Sequence, residues 1–163
     1  MSDFPAAGVH VLRFEPLFVL YLDVAFDKVQ AVGQTSAGWR GVYPVNGGRF
    51  EGPRLHGKVL PGGADWVTRR ADGATEIDVR LMLATDDGAA IAMTYTGLLC
   101  MSETAGRQFR KGEPTDYRET YIRTTPRFET ADERYAWLNR VIAVANGGAP
   151  WTHDPTYQVF AIL

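Results

Sequence analysis

The sequence predicts an all-β protein: a single closed antiparallel β-barrel of about 8–10 strands that takes up residues 1–163 as one domain, with one short helical segment near 131–138. Three observations carry this. First, 17 glycines and nine prolines punctuate 163 residues. The runs between them are rich in Val, Ile, Leu, Thr and Tyr, which suit a pleated, half-buried surface. Second, no helical periodicity persists beyond about three turns. Third, Asp72-Gly73 and Asp87-Gly88 each separate two such runs, and Asp-Gly supplies the positive φ that tight hairpins need.

Taken in order, "VHVLRFEPLFVLYLDV", "RGVYPV" and "PRLHGKV" read as strands. "WVTRR", "ATEIDVRLMLAT" and "AAIAMTYTGLL" follow, joined by the two Asp-Gly turns into a meander. In the middle run Ile77, Val79, Leu81 and Leu83 alternate with Glu76, Asp78, Arg80 and Met82, the period of a strand. Residues 102–116 are polar and contain Gly and Pro, and read as a long loop. "RETYIRTT", "NRVIAVAN" and "TYQVFAIL" are the last strands. Before the last two, "TADERYAWL" forms the helical turn, with Thr130 as its cap and Asp132 and Glu133 at its positive end. So many strands must hide their edges, which a closed barrel does fully; a two-sheet sandwich is the alternative. About eight strands leave room inside for one small ligand.

Composition excludes several functions. With 45% hydrophobic and 22% charged residues, the chain is long enough to bury a core as a soluble domain. A net charge of −2 favours neither nucleic acid nor an anionic membrane surface. "PLFVLYLDVAF" is too short to span a bilayer, and "MSDFPAAGVH" lacks a basic leader, so the expected location is cytoplasmic. Cys100 is the only cysteine, which rules out an internal disulfide and a cysteine metal cluster. His10, His56 and His153 are scattered, so no metal site is expected. Phosphate-binding and dinucleotide fingerprints and a nucleophile elbow are absent. No cofactor is expected.

Three stretches, "GGRFEGPRLHGKVLPGGADW" at 47–66, "DVRLMLATDDGAAI" at 78–91 and "YIRTTPRFETADERYAWLNRVIAVANG" at 121–147, together resemble the domain of unknown function 3237 family, also called uncharacterised protein family 0311. The resemblance implies an antiparallel β-barrel without a bound cofactor. It also implies lyase, isomerase or cyclase chemistry on small, often aromatic molecules. Where relatives often carry an aromatic pair before the arginine, this chain has Tyr121-Ile122-Arg123.

The candidate site is built from polar residues inside β-rich runs. Asp78 and Arg80 project from one face of a strand. They form either a solvated outer face or a paired lumenal site in which Asp78 is a general base. Arg123 is either a surface cation or a forked grip on a substrate oxyanion, with Tyr121 beside it. Tyr95 is a core tyrosine or a proton donor. Asp78, Arg123 and Tyr95 are the catalytic candidates. Arg54, His56, Asp65, Trp66, Arg80, Tyr121 and Trp137 are the substrate-binding candidates: Arg54, Asp65 and Trp66 at a mouth shaped by glycine corners, His56 as a reserve acid/base, Trp137 as plug or pocket wall. The glycines at 47–48 and 62–63 are expected to make turns. The expected function is a cofactor-independent enzyme of lyase/dehydratase, isomerase or cyclase type. It would act by acid/base chemistry on a small, partly aromatic metabolite held in the barrel. The alternatives are a binding barrel without catalysis and an assembly protein with a filled interior. The aliphatic strand faces suit a homodimer or larger homo-oligomer.

Overall fold

The computed structural model describes residues 11–147 and 155–163. His10, His153 and the start of the first expected strand lie outside them. Ten strands form one antiparallel sheet: β1 (Phe14–Val24), β2 (Gln30–Thr35), β3 (Gly38–Glu51), β4 (Gly57–Val59), β5 (Gly63–Arg69), β6 (Thr75–Thr85), β7 (Ala90–Met101), β8 (Thr120–Glu129), β9 (Ala143–Gly147) and β10 (Thr156–Ile162). The order runs β1-β10-β9-β8-β7-β6-β4-β3-β2, β5 bridges β3 and β6, and β1 also pairs with β3. That last pairing closes the circle. β4 and β5 follow one another in the gap between β3 and β6. β2 lies outside the circle, paired with β3 alone.

Both Asp-Gly turns form as the sequence expects. Gly73 (φ 88°) joins β5 to β6 and Gly88 (φ 92°) joins β6 to β7. Arg70 N–H donates to the Ala74 carbonyl at 2.8 Å, and Thr85 N–H to that of Ala89 at 2.9 Å. The alternation of β6 is realised, with Ile77, Val79, Leu81 and Leu83 all buried.

Four sequence expectations are corrected. Residues 102–116 contain an α-helix, α1 (Glu103–Lys111), rather than only a loop. Ser102 caps it by accepting from Ala105 N–H at 3.0 Å, and Gly112 closes it in the left-handed conformation, a pairing of end signals that defines a helix. The second short helix, Glu133–Arg140, is 3-10 and is capped by Asp132 rather than Thr130. Thr130 instead donates to the Ala90 carbonyl at 2.7 Å. Gly47-Gly48 makes no turn: both lie inside β3 at φ near +148°, where the strand passes from its β5 partner to β4 and β1. "PRLHGKV" is strand only over Gly57–Val59.

The lumen is divided. At one end Phe18, Phe50 and Phe128 pack edge to face, 5.5 and 5.9 Å between centroids, with Leu17, Leu20, Leu55, Leu83, Ile91, Met93 and Leu138 fully buried around them. These residues belong to the continuous hydrophobic core on whose burial stability rests. At the other end the side chains stand back from one another, and a cavity remains.

Candidate active site

The cavity holds about 610 Å³, the size of a small-molecule site. Its wall is mainly aliphatic and aromatic: Leu22, Val45, Val67, Ile77, Val79 and Leu99 belong to the inward faces of β1, β3, β5, β6 and β7. Across its mouth lie α1 and the 3-10 helix Phe26–Lys28, joined where Phe109 meets Phe26 edge to face at 5.8 Å. Phe26 also packs on Tyr43 at 5.6 Å.

Among the polar side chains that line this space are Asp65, Tyr95 and Tyr157. Asp65 stands on β5 opposite Val79. Its Oδ1 accepts the Asp78 backbone N–H at 3.3 Å, at a point where the β5–β6 pairing lapses between Val79 and Glu76. Burial raises its carboxyl from 3.8 to about 7, against the lowering effect of that N–H; the nearby Asp78 charge adds to the rise. A carboxyl with this pKa is shared between acid and base forms at neutral pH, as proton transfer requires.

Tyr95 on β7 and Tyr157 on β10 lie 5.6 Å apart, ring to ring, and both are buried. Burial raises both phenols, with the Asp65 charge adding to it. Both therefore remain protonated donors at working pH. The Tyr95 hydroxyl makes no well-formed hydrogen bond among the described residues, although the Tyr157 phenol is near enough to act on it. Leaving a buried hydroxyl unpaired costs about 1–3 kcal/mol, and a bound ligand oxygen would recover it. Tyr95→Phe is accordingly expected to raise stability by about 1 kcal/mol while weakening ligand binding. Chemical denaturation beside ligand titration checks this, and a loss of stability would assign Tyr95 a structural role.

The structure brings two of the sequence candidates, Asp65 and Tyr95, into the cavity. The others lie elsewhere. Ile77 and Val79 take the inner face of β6, so Asp78 and Arg80 point outward, 3.5 Å apart with side chains 44% and 58% exposed. The contribution of Asp78 to the site is its backbone N–H. Arg80 stacks over Trp66 at 5.1 Å on the same outer wall. The alternation of β8 buries Ile122 and Thr124 and sends Tyr121 and Arg123 out, where the guanidinium lies 4.7 Å from the Tyr121 ring and donates to the Ile122 carbonyl at 2.7 Å. Arg54 covers Trp137 at 3.7 Å, with Trp137 packed against the core. The His56 Nδ1 meets Asp86 at 2.8 Å in the open. Exposed pairs of this kind contribute little. Asp78→Asn is expected to move stability by less than about 0.5 kcal/mol, as thermal unfolding would measure.

The sequence reading missed Tyr43, Arg69, Tyr157 and Arg110, all of which line the cavity. Tyr157 carried a signal, since it alternates with Val159 and Ala161 on the buried face of β10. Among the described residues no cluster of His, Cys, Asp and Glu is arranged to hold a metal ion.

Fold and cavity together define a closed β-barrel of eight strand positions with a ligand-sized chamber at one end. The chain belongs to the family described as "Protein of unknown function (DUF3237)", which matches residues 12–162. It is 32% identical to a UPF0311 protein of Rhodopseudomonas palustris over 132 residues, covering 81% of this chain and 86% of that one. The crystal structure of the conserved R. palustris protein superposes with a TM-score of 0.87 at 29% identity, covering 95% of this chain and all of that one. A β-barrel-like protein from Acinetobacter baumannii gives 0.82 at 33% identity, covering 96% and 99%. A hydroalkoxylation enzyme of Penicillium herquei is 29% identical over 110 residues, 68% of this chain and 58% of that protein.

Proposed function

We propose that this protein is a cofactor-independent enzyme that moves protons on a small, partly aromatic metabolite held in the barrel, with Asp65 as the acid/base group. The observation that carries this reading is the Asp65 carboxyl, raised to about 7 in an apolar chamber beside two protonated phenols. The likeness to a hydroalkoxylation enzyme supports one form of the chemistry, addition of an O–H across a carbon–carbon double bond. Protonated Asp65 gives its proton to one alkene carbon. The substrate hydroxyl oxygen bonds to the adjacent carbon, and the proton it sheds returns to the carboxylate. The Asp65 residue thus ends as it began, and no electrons are exchanged. Tyr95, a protonated donor, can hold another oxygen of the substrate by a hydrogen bond and so orient it against Asp65. Isomerisation and the reverse elimination use the same proton path.

The test is incubation with a panel of small aromatic molecules bearing a hydroxyl and a double bond, in D2O, followed by mass spectrometry. The reading expects solvent deuterium at carbon with the wild type and its loss in Asp65→Asn. No uptake across the panel, or equal uptake by the variant, overturns it. The mainly apolar wall also suits a second reading, a binding barrel without chemistry, for which ligand binding without deuterium uptake is the expected result.

A further inference from the structure

Five charged side chains among the described residues line the cavity: Asp65, Arg69, Arg70, Glu103 and Arg110. Three of them are accounted for. Asp65 is the proposed acid/base group. Arg70 is neutralised by Asp72 and by Glu76, the latter at 3.5 Å. Glu103 is held by Arg107 one helical turn on, at 2.6 Å. Arg69 and Arg110 remain, and neither has an acidic partner among the described residues.

The two have different origins. Arg69 ends β5, and Arg110 lies in the last turn of α1. Arg69 is fixed in place by neutral groups: it donates to the Tyr43 hydroxyl at 2.8 Å and its guanidinium lies 4.5 Å from the Trp39 ring centroid. One contact leaves most of its forked donors free. A guanidinium held in position by an aromatic face and a hydroxyl, rather than by a carboxylate, is set to receive an oxyanion without first breaking an ion pair. The same cavity is lined by Leu22, Val45, Val67, Ile77 and Val79, and by Asp65 with the two tyrosines.

We propose that the cavity takes an aromatic carboxylate, its ring filling the apolar chamber and its carboxylate held at the mouth by Arg69 and Arg110. This assignment rests on the reading of the cavity as the substrate site and specifies the class of substrate that enters it. The orientation follows from charge. A carboxylate turned inward would lie beside Asp65 in a low-dielectric space and be repelled, whereas one at the mouth meets two cations and leaves the uncharged, reactive part of the molecule against Asp65.

The experiment uses two probes of one shape and different charge, 2-naphthoate and 2-naphthalenemethanol, titrated calorimetrically into the full chain at neutral pH. The wild type is expected to bind naphthoate about tenfold or more tightly than the alcohol, with the advantage shrinking as salt is raised. In the Arg69→Gln, Arg110→Gln double variant the preference disappears while binding of the alcohol is kept. Both positions are at the surface, so the variant is expected to melt like the wild type. Equal affinity of the wild type for the two probes, absence of naphthoate binding, or a preference that survives the double substitution overturns the proposal. Asp65→Asn separates the two readings. If it keeps the naphthoate preference and no turnover is found in the wild type, the catalytic reading fails and the carboxylate site stands.

Discussion

Replacing Asp65 with Asn is expected to lower turnover by about 10²–10⁴-fold and, at the same time, to make the protein more stable in alkaline solution. The amide keeps a carbonyl oxygen to accept the Asp78 N–H that Asp65 now accepts at 3.3 Å, so the chamber keeps its shape and loses only its titratable proton. The stability effect follows from linkage. In the unfolded chain the carboxyl titrates near 3.8, and in the barrel at about 7. Between these values the folded protein holds a proton that the unfolded chain has released, so wild-type stability falls as pH rises through the interval. Above the folded pKa the full cost of a charge in the chamber is present, about 3 kcal/mol for a half-buried group. Asn carries no such cost. The variant is therefore expected to match the wild type at pH 4 and to exceed it at pH 8, as denaturant unfolding at the two values would show. A wild-type curve flat between pH 4 and 8 would mean that the Asp65 carboxyl is solvated and unfit for the proposed chemistry. For the wild-type protein the rate of the proposed reaction should change around pH 7, where the carboxyl passes between its two forms.

The second large effect is expected at Gly48. This residue lies where β3 is paired on both sides, with Leu22 of β1 and Val59 of β4. Its φ is +147°, a region closed to side chains. A Cβ there would overlap the Tyr21 carbonyl oxygen of β1. Neither strand can retreat, because β1 and β4 are both held in the barrel wall. Gly48→Ala is expected to cost about 3 kcal/mol or more, combining backbone strain with the overlap, and to show itself as a lowered denaturation midpoint. A variant as stable as the wild type would mean that the β1–β3 seam is looser than the structure describes.

Much of the wall was legible from particular residues. Asp72-Gly73 and Asp87-Gly88 fix two hairpins, and the alternation from Ile77 to Leu83 marks one strand without ambiguity. β2 was not legible. "QAVGQT" has no apolar alternation: β2 sits outside the circle, four of its six residues are exposed and none is fully buried. α1 was hidden by the polar run "ETAGRQFRK", which buries only Ala105, although Ser102 and Gly112 marked its ends. For the site the difficulty was one of kind. Alternation separates two faces of a strand but does not say which is lumenal, because a solvated outer face and a polar chamber use the same residues. Asp78 and Asp65 look equally suitable in sequence. Only closure, with the aliphatic face of β6 turned in and Asp65 opposite Val79, tells them apart.

The pairing of β1 with β10, Phe14 against Ile162, has a kinetic consequence. A nascent chain leaving the ribosome can form the β5–β6–β7 meander early, from neighbouring segments. It cannot seal the cylinder until the final strand has emerged, since β10 alone fills the place between β1 and β9. Until then two strand edges stand open, the state in which β proteins are most exposed to aggregation. Refolding is therefore expected to be slow for the size of the domain, as contacts between sequence-distant strands are the last to be rewarded.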